Sequence, residues 1–132
     1  MAQKSATVAI VSNNKLLILR RGPTAPWKPG CYCLPGGKKE GNESLIECAI
    51  RELSEETGIY IVDSSYLIPH TVTYQSKYSK IIFVTKMLDP PVALNWEHDH
   101  YAWISKEQTF SYPLVPGLPT TIKSLVAHGW LM

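Results

Sequence analysis

The sequence predicts an α/β fold in which a mixed β-sheet lies between helices. Apolar runs of strand length precede and follow one strongly helical segment, and a second helical segment comes near the end of the sequence. This alternation is typical of sheets covered by helices. The chain has 132 residues, of which 45% are hydrophobic and 18% are charged, as in globular proteins. We therefore expect residues 1–132 to form one domain with its own core.

The first predicted elements are a hairpin and a short strand. Their order is a strand at 6–11, a strand at 16–20, a proline-rich loop at 22–30 and a short strand at 31–34. Ser12-Asn13-Asn14 separates the first two apolar runs and predicts a tight turn. The short strand leads into Pro35-Gly36-Gly37, which predicts another turn.

A helix is predicted between Asn42 and Gly58. Asn42 is a suitable N-cap, Glu43 suits the positive end of the helix dipole, and Gly58 is a suitable left-handed stop. The segment between them contains good helix formers and no proline. At helical spacing its apolar side chains fall on one stripe. That stripe consists of Leu45, Ile46, Ala49, Ile50 and Leu53.

The second half of the sequence predicts further strands and one more helix. The strands are expected at 59–62, 66–74, 80–87 and 101–104. Tyr78-Ser79 and the neighbouring polar residues predict the turn between two of these strands. Pro119 suits the first turn of a helix that Gly129 ends. The apolar face of this helix consists of Ile122, Leu125 and Val126.

Three carboxylates converge on the first predicted helix. Glu52, Glu55 and Glu56, here called the acidic cluster, lie at spacings that share one helical face. Uncompensated like charges at such spacings cost about 0.2–0.5 kcal/mol per pair. Mg²⁺, with Mn²⁺ as the alternative, is the expected compensating ion, because hard divalent cations prefer carboxylate oxygen. The plainer alternative is a solvated acidic face.

The segment around the acidic cluster resembles the Nudix box, the signature of the Nudix (MutT-like) hydrolases. That pattern is G, five residues, E, seven residues, then R-E-apolar-x-E-E-x-G-apolar, and every spacing is kept here. The matching residues are Gly37, Glu43, Arg51, Glu52, Leu53, Glu55, Glu56, Gly58 and Ile59. A match of this length is far more specific than a short glycine motif. Leu34-Pro35-Gly36-Gly37 and Trp27 are also similar to the family, and the rest of the chain is so only loosely.

The resemblance implies a compact α/β/α sandwich and a divalent metal site beside a diphosphate. It also implies that the acidic cluster holds the metal together with the backbone carbonyl of Gly36. The metal would neutralise phosphate charge and lower the pKa of a bound water, and a further carboxylate would accept the proton. The identity of that base is left open between Glu52 and Glu97.

Arg51 and Glu97 are expected to assist the acidic cluster. Arg51 can reach Glu47 or Glu55 at helical spacing, so we expect it to orient carboxylates, with a surface ion pair as the plainer alternative. Glu97 resembles the outlying acid that completes the metal site in Nudix enzymes, although an exposed polar loop explains it equally well. For His98-Asp99-His100 the exposed polar loop is the expectation.

Basic and aromatic residues in and before the box are candidate substrate ligands. Arg20 and Arg21 end a predicted strand, so one side chain should point toward the site and the other away. A guanidinium suits phosphate oxygens. Lys38 can attract an anionic ligand, and Trp27 can stack on a base. Simple solvation, or aromatic packing under a loop, is the plainer alternative for these residues.

We expect a divalent-metal-dependent pyrophosphohydrolase that cleaves a phosphoanhydride in a nucleoside diphosphate linked to a moiety X. Nucleoside triphosphates, unmodified or damaged, are the first expectation because the chain is short. Dinucleoside polyphosphates are the alternative, since Glu97-His98 before Tyr101 and Trp103 resembles some enzymes of that kind, and ADP-ribose and capped RNA ends also stay open. The alternative of another class is a noncatalytic nucleotide-sensing or scaffold module, which should have lost one of the metal carboxylates.

Composition limits the partners. A net charge of +2 does not favour general nucleic-acid binding. No apolar run approaches the roughly 20 residues of a membrane span, and the first residues carry no secretory signal. Three cysteines fit a reducing compartment better than a disulfide scaffold. We therefore expect a cytoplasmic protein that is a monomer or a homodimer.

Overall fold

The structure, a computed structural model, describes residues 3–75 and 78–132. Its strands are β1 (Gln3–Ser12), β2 (Lys15–Arg21), β3 (Tyr32–Cys33), β4 (Gly36–Lys38), β5 (Ile68–Gln75), β6 (Tyr78–Lys86) and β7 (His98–Ile104). Its helices are α1 (Leu45–Thr57) and α2 (Leu118–Ala127), and 3₁₀ turns lie at Ser64–Tyr66 and Lys106–Ser111. Within these described ranges, no helix combines the length and the hydropathy that crossing a membrane requires.

The strands form one mixed sheet, which confirms the predicted α/β class. The strand order is β3-β2-β1-β6-β5, with β4 paired to β1 and β7 paired to β2. β1 and β6 run parallel, and the other pairs are antiparallel. Parallel strands need a long crossover connection. Here α1 lies within the chain that connects β1 to β6.

The two helices belong to separate cores on opposite faces of the sheet, because neighbouring strand residues point to opposite sides. From β1 and β2, the core around α1 receives Val8, Ile10, Leu17 and Leu19. The core around α2 receives Ala9, Val11, Leu16 and Ile18. All of these side chains are buried, and each large aliphatic one contributes about 1.5–3 kcal/mol. This arrangement is the α/β/α sandwich that the resemblance implies.

The turn between β1 and β2 is the predicted one. Asn13 and Asn14 have φ angles of 51° and 60°, a left-handed pair that matches the twist of hairpin strands and that asparagine tolerates. The Asn14 side chain also reaches the backbone of Met132. Its Nδ2 donates to the carbonyl oxygen at 2.7 Å, and its Oδ1 accepts from the N–H at 2.8 Å. The hairpin turn is therefore anchored from outside the hairpin.

The prediction of Asn42 as the N-cap of α1 is wrong, because Ser44 has that role. Ser44 Oγ accepts from the N–H of Glu47 at 3.2 Å, and the Glu47 carboxylate accepts from the N–H of Ser44 at 2.7 Å. This reciprocal capping box satisfies two N–H groups that the helix itself cannot. Gly58 ends α1 with a φ of 73°, as predicted.

Residues 59–62 do not form the predicted strand. Ile59 and Ile61 are buried in the core around α1, while Tyr60 and Val62 are exposed. This alternation has the period of a strand, but here it results from one side of an unpaired segment packing on the core.

The first residues of three later strands also differ from the prediction, and β7 begins at His98 instead of residue 101. β5 begins at Ile68 instead of residue 66, since Ser64–Tyr66 form a 3₁₀ turn capped by Asp63. Tyr78-Ser79 are the first residues of β6, not a turn. The neighbouring positions 76–77, which the predicted turn includes, lie outside the described residues.

A bulge in β5 directs His70 toward the end of α2. The β5–β6 register shifts between Pro69 and Thr71, which leaves His70 as the extra residue. His70 Nε2 lies 2.9 Å from Ser124 Oγ, and its ring meets His128 edge to face with centroids 4.9 Å apart. Burial, followed by repulsion from His128, lowers the pKa of His70.

We expect the free energy of unfolding to fall as the pH is lowered through the titration range of His70. Because folding lowers the pKa of His70, the unfolded chain, with a pKa of about 6.5, binds the proton more tightly. The stability that neutral His70 contributes is therefore complete above about pH 6.5, the pKa in the unfolded chain. It is lost as the pH falls from there through the lower pKa of the folded state. Urea unfolding between neutral and mildly acidic pH checks this. His70→Gln should flatten the pH dependence, and an unchanged slope would contradict the assignment.

Candidate active site

The short strand β4 occupies the position predicted as a turn, and Gly36 lets it lie directly against β1. Gly36 is paired with Thr7 and has a φ of 156°. A Cβ there would overlap the backbone oxygen of Ala6 and the Cα of Thr7, so no larger residue fits. The Gly36 N–H donates to Glu56 Oε1 at 2.8 Å. This bond ties the end of α1 to the sheet.

Gly37 lies against a side chain, whereas Gly36 lies against the backbone of β1. A Cβ on Gly37 would lie 2.5 Å from both Cδ and Oε1 of Glu52. The two glycines therefore serve different purposes. Gly36 allows β4 to lie directly against β1, and Gly37 leaves room for a carboxylate of the acidic cluster.

Arg51 joins carboxylates from the beginning and the end of the box. Its Nη2 and Nε donate to Glu43 at 2.7 and 3.0 Å, and its Nη1 donates to Glu52 at 3.0 Å and Glu55 at 3.2 Å. The fork of hydrogen bonds from Arg51 lowers the pKa of Glu43 to about 2. Glu47, an expected partner, caps α1 instead. The contacts of Arg51 are those of a residue that orients carboxylates.

Glu56 is a buried carboxylate among other acids. Its exposed fraction is 2%, and it accepts the hydrogen bond from Gly36. Burial is the main cause that raises the pKa of Glu56 to about 9, and the nearby carboxylates Glu52, Glu97 and Glu55 also raise it. The hydrogen bond from Gly36 has the opposite effect and lowers this pKa. Burial also raises the pKa of Glu52, in spite of its guanidinium partner. The site therefore gathers acidic groups where water cannot screen a charge, and Glu56 is protonated at neutral pH when no cation is bound.

The acidic cluster and Glu97 have the chemistry of a divalent cation site. Arg51 compensates Glu52 and Glu55, but Glu56 forms no ion pair within the part of the chain that the structure describes. A buried carboxylate is stable as an anion only beside positive charge, and an all-oxygen donor set suits Mg²⁺ or Mn²⁺. Among residues 3–75 and 78–132, no three His, Cys, Asp or Glu side chains already converge at metal-binding distance. Sharing one ion would require these side chains to rotate inward.

Glu97 lies on the wall of a cavity of roughly 150 Å³ beside the acidic cluster. The cavity lies between the end of β2 with the loop that follows it and the segment that leads into β7. Its lining consists of Arg21, Thr24, Ala25, Pro26, Trp96, Glu97 and His98. Glu97 is half-buried and close enough to Glu52 and Glu56 to raise the pKa of both. An exposed polar loop therefore does not describe its surroundings.

Arg20 and Arg21 have different surroundings, as strand alternation predicts. Arg20 pairs with Asp99 at 2.7 Å and lies 2.6 Å from His100 Nδ1, away from the cavity. Arg21 lines the cavity, donates to the carbonyl of Trp27, and holds its guanidinium 5.5 Å from the Trp27 ring centroid. Among the ion pairs of the described residues, none includes Arg21. Arg21 is therefore the arginine that is free to meet an anionic ligand.

His98 is buried, which corrects the expected exposed loop. The β2–β7 register shifts between Arg20 and Arg21, and this bulge leaves Asp99 without a partner in the ladder. His98 is 5% exposed, and its Nε2 lies 3.6 Å from Cys33 Sγ. Burial lowers the pKa of His98 to about 4, so the imidazole is neutral. Because a bulge changes which residues share a face, the sequence pattern does not reveal this burial.

Lys38 and Trp27 lie at the margin of the site. The Lys38 side chain is exposed, and its backbone carbonyl accepts a hydrogen bond from Arg51 at 3.1 Å. Trp27 is half-exposed. Neither residue lines the cavity. Of the candidate substrate ligands, the structure places Arg21 beside the acids and leaves Arg20, Lys38 and Trp27 outside the cavity.

Gly22 and Asn95, which are not among the predicted site residues, both bond to Glu97. An asparagine two residues before Glu97 is a signal for a turn closed by the asparagine side chain, so Asn95 was open to prediction. The contact of Gly22 joins two segments that are distant in sequence, and no local pattern predicts it.

Comparison with known proteins places the chain among characterised hydrolases. Residues 1–125 match the NUDIX domain. The CTP pyrophosphohydrolase of Escherichia coli (strain K12) is 29% identical over 119 residues, which cover 88% of this chain and 86% of that protein.

Solved structures show the same fold. The MutT protein from Methanosarcina mazei Go1 superposes with a TM-score of 0.75 at 26% identity, covering 96% of this chain and 94% of that one. A bifunctional NMN adenylyltransferase/ADP ribose pyrophosphatase from Francisella tularensis, complexed with AMP and Mn ion, gives a TM-score of 0.77. Its identity is 17%, and the match covers 97% of this chain and 42% of that one, so this likeness concerns the fold alone.

We expect the adjacent substitutions Gly36→Ala and Gly37→Ala to differ sharply in stability. The methyl group of Gly36→Ala meets fixed backbone of β1, and such overlap should cost about 3 kcal/mol or more. Gly37→Ala meets the far end of the Glu52 side chain, which can rotate away, so its loss should stay within about 1 kcal/mol. Urea unfolding of both variants measures the difference. Equal stability of the two variants would contradict this account of the glycine pair.

Proposed function

This chain belongs to the Nudix family of hydrolases, and from that premise we propose that it is a divalent-metal-dependent pyrophosphohydrolase. Its substrate is a nucleoside diphosphate linked through a phosphoanhydride to a moiety X. The observation that carries the proposal is the placement of Glu56. This carboxylate is 2% exposed, and Glu52, Glu97 and Glu55 lie close enough to raise its pKa. Glu97 in turn lines a cavity together with Arg21, which has no acidic partner among the described residues.

The proposed metal site consists of the acidic cluster, the backbone carbonyl of Gly36 and Glu97. When bound, a divalent ion supplies charge neutralisation at the anhydride and lowers the pKa of a bound water. Arg51 holds Glu52 and Glu55 from one side, so both carboxylates stay near the cluster although the side chain of Glu55 is exposed. The positive charge of Arg51 also reduces the repulsion within the cluster.

Glu97 is the better candidate for the general base. A general base must reach the water that it deprotonates, and of these two carboxylates Glu97 lines the cavity whereas Glu52 does not. Glu52 is also held 3.0 Å from Arg51 Nη1, whereas the Glu97 carboxylate is bonded to the side chain of Asn95 at 3.4 Å. We therefore assign proton acceptance to Glu97, in addition to its part in the metal site, and metal binding alone to Glu52.

Nucleoside triphosphates are the proposed substrates. Arg21 offers a guanidinium to the phosphates on the far side of the scissile bond, since it shares the cavity wall with Glu97. The similarity to a CTP pyrophosphohydrolase supports this class.

Dinucleoside polyphosphates are the second candidate. Trp96 lines the cavity and is 82% exposed, and an exposed indole can stack on a second base. This substrate class requires such a platform beyond the phosphates, whereas a triphosphate does not.

A product panel tests the proposal. The purified chain is incubated with Mg²⁺ or Mn²⁺ and with nucleoside triphosphates, dinucleoside polyphosphates, ADP-ribose or capped RNA, and the products are separated by ion-exchange chromatography. Metal-dependent release of a nucleoside monophosphate and pyrophosphate from triphosphates supports the proposal. Turnover of dinucleoside polyphosphates alone favours the second candidate. Metal-independent nucleotide binding without turnover on any substrate indicates a noncatalytic sensor and overturns the proposal.

Glu56→Gln should lower turnover by at least about 100-fold while the protein stays folded, because a neutral amide binds a divalent cation poorly. Stability should not fall, since the amide carries no charge to be desolvated or repelled. Glu107→Gln, an identical change at an exposed position, is the matched control and should keep wild-type rates. Steady-state rates at saturating metal and melting temperatures provide the two measurements. Near wild-type turnover of Glu56→Gln would remove this residue from the metal site.

A further inference from the structure

Three hydrogen bonds hold Glu97, one at each of its polar groups. Asn95 Oδ1 accepts from the Glu97 N–H at 3.1 Å, and Asn95 Nδ2 lies 3.4 Å from Glu97 Oε1. The Glu97 carbonyl accepts from the N–H of Gly22 at 2.9 Å. The amide, the carbonyl and the carboxylate of one residue are thus all engaged, although this residue comes from a connecting segment.

The side chain of Asn95 provides two of these bonds with its two different atoms. Its oxygen closes a turn on the Glu97 backbone, which is a common use of asparagine. Its nitrogen donates to the Glu97 carboxylate. An aspartate at position 95 would repel that carboxylate, and a serine would reach the backbone alone. Asparagine is therefore suited to orient both the backbone and the side chain of Glu97.

Gly22 brings the end of β2 close to this segment. A Cβ on Gly22 would lie 3.3 Å from the Glu97 carbonyl oxygen and 3.6 Å from that of Trp96. The first distance is tighter than an ordinary contact, so a larger residue would push the Glu97 backbone outward. Gly22 thus sets how near Glu97 lies to the wall that carries Arg21.

These bonds act against electrostatic repulsion. Glu97 lies close enough to Glu52 and Glu56 to raise the pKa of both, and like charges would move a free glutamate side chain toward solvent. Ordering such a long side chain also costs rotamer entropy. Hydrogen bonds that hold Glu97 in place offset this entropy loss before any ligand binds.

We propose that Asn95 and Gly22 are positioning residues that hold the Glu97 carboxylate toward the acidic cluster. The inference rests on the proposed role of Glu97 in metal binding and proton acceptance. Asn95 and Gly22 contact neither metal nor substrate, and they act through Glu97.

The test measures Mn²⁺ affinity by electron paramagnetic resonance without substrate, so it does not depend on turnover. Asn95→Ala should weaken Mn²⁺ binding by about tenfold, as loss of an outer-shell partner does. Asn95→Ser keeps the turn to the backbone and should be intermediate. Gly22→Ala should weaken binding in the same direction. Asn42→Ala, the same substitution at an exposed asparagine, is the control and should leave the affinity unchanged.

A double-mutant cycle separates positioning from a general structural role. If Asn95 acts through Glu97, Asn95→Ala combined with Glu97→Gln should bind Mn²⁺ no more weakly than Glu97→Gln alone. Unchanged affinity of Asn95→Ala, or effects that multiply in the double variant, would overturn the proposal. Circular dichroism confirms that each variant is folded. Turnover is measured separately. The expected Mn²⁺ pattern without turnover would refute only the proposed function, whereas turnover with multiplying effects would refute only the positioning.

Discussion

The site depends on the close approach of two backbone segments, β4 and β1. Gly36 permits this approach, because any side chain there would enter the backbone of β1. Its N–H then donates to the buried carboxyl group of Glu56 on α1, and such a hydrogen bond contributes about 0.5–1.5 kcal/mol. The bond fixes the last turn of α1 against the sheet. The acidic cluster is therefore held at the border between helix and sheet, partly out of water.

The acidic side chains at this border are only partly compensated by positive charge, and this makes the border a candidate cation site. Arg51 neutralises the carboxylates that point toward the start of the box. Glu56 lies on the other side, where its partner is a backbone N–H. A structural network would balance its buried charges, because an unpaired one costs several kcal/mol. Ionisation of Glu56, whose pKa is raised to about 9, is therefore unfavourable until a cation binds, and the neighbouring Glu97 lines a cavity that also contains Arg21.

Local patterns predicted both helices and most of the strands, and they identified the acidic cluster as the candidate site. The Asn13-Asn14 turn and the stop at Gly58 depend on backbone conformations that few residues adopt, so the sequence predicted both. The N-cap at Ser44 was missed because Asn42 has the same propensity, and only the reciprocal bond to a glutamate distinguishes them. The burial of His98 follows from a bulge opposite β2. Bulges depend on pairing between strands that are distant in sequence, which no local pattern encodes.

The anchored hairpin turn has a practical consequence. β2 has 7 residues between the Asn13-Asn14 turn and the loop that begins at Gly22, so the two ends of the strand are about 20 Å apart. The turn residues are exposed, and their side chains contact Asp89 and Met132 at that far end. A fluorophore or an affinity handle attached next to this turn would leave the mouth of the cavity open to solution. The protein is therefore suited to surface capture and single-molecule observation in an orientation that keeps ligands accessible.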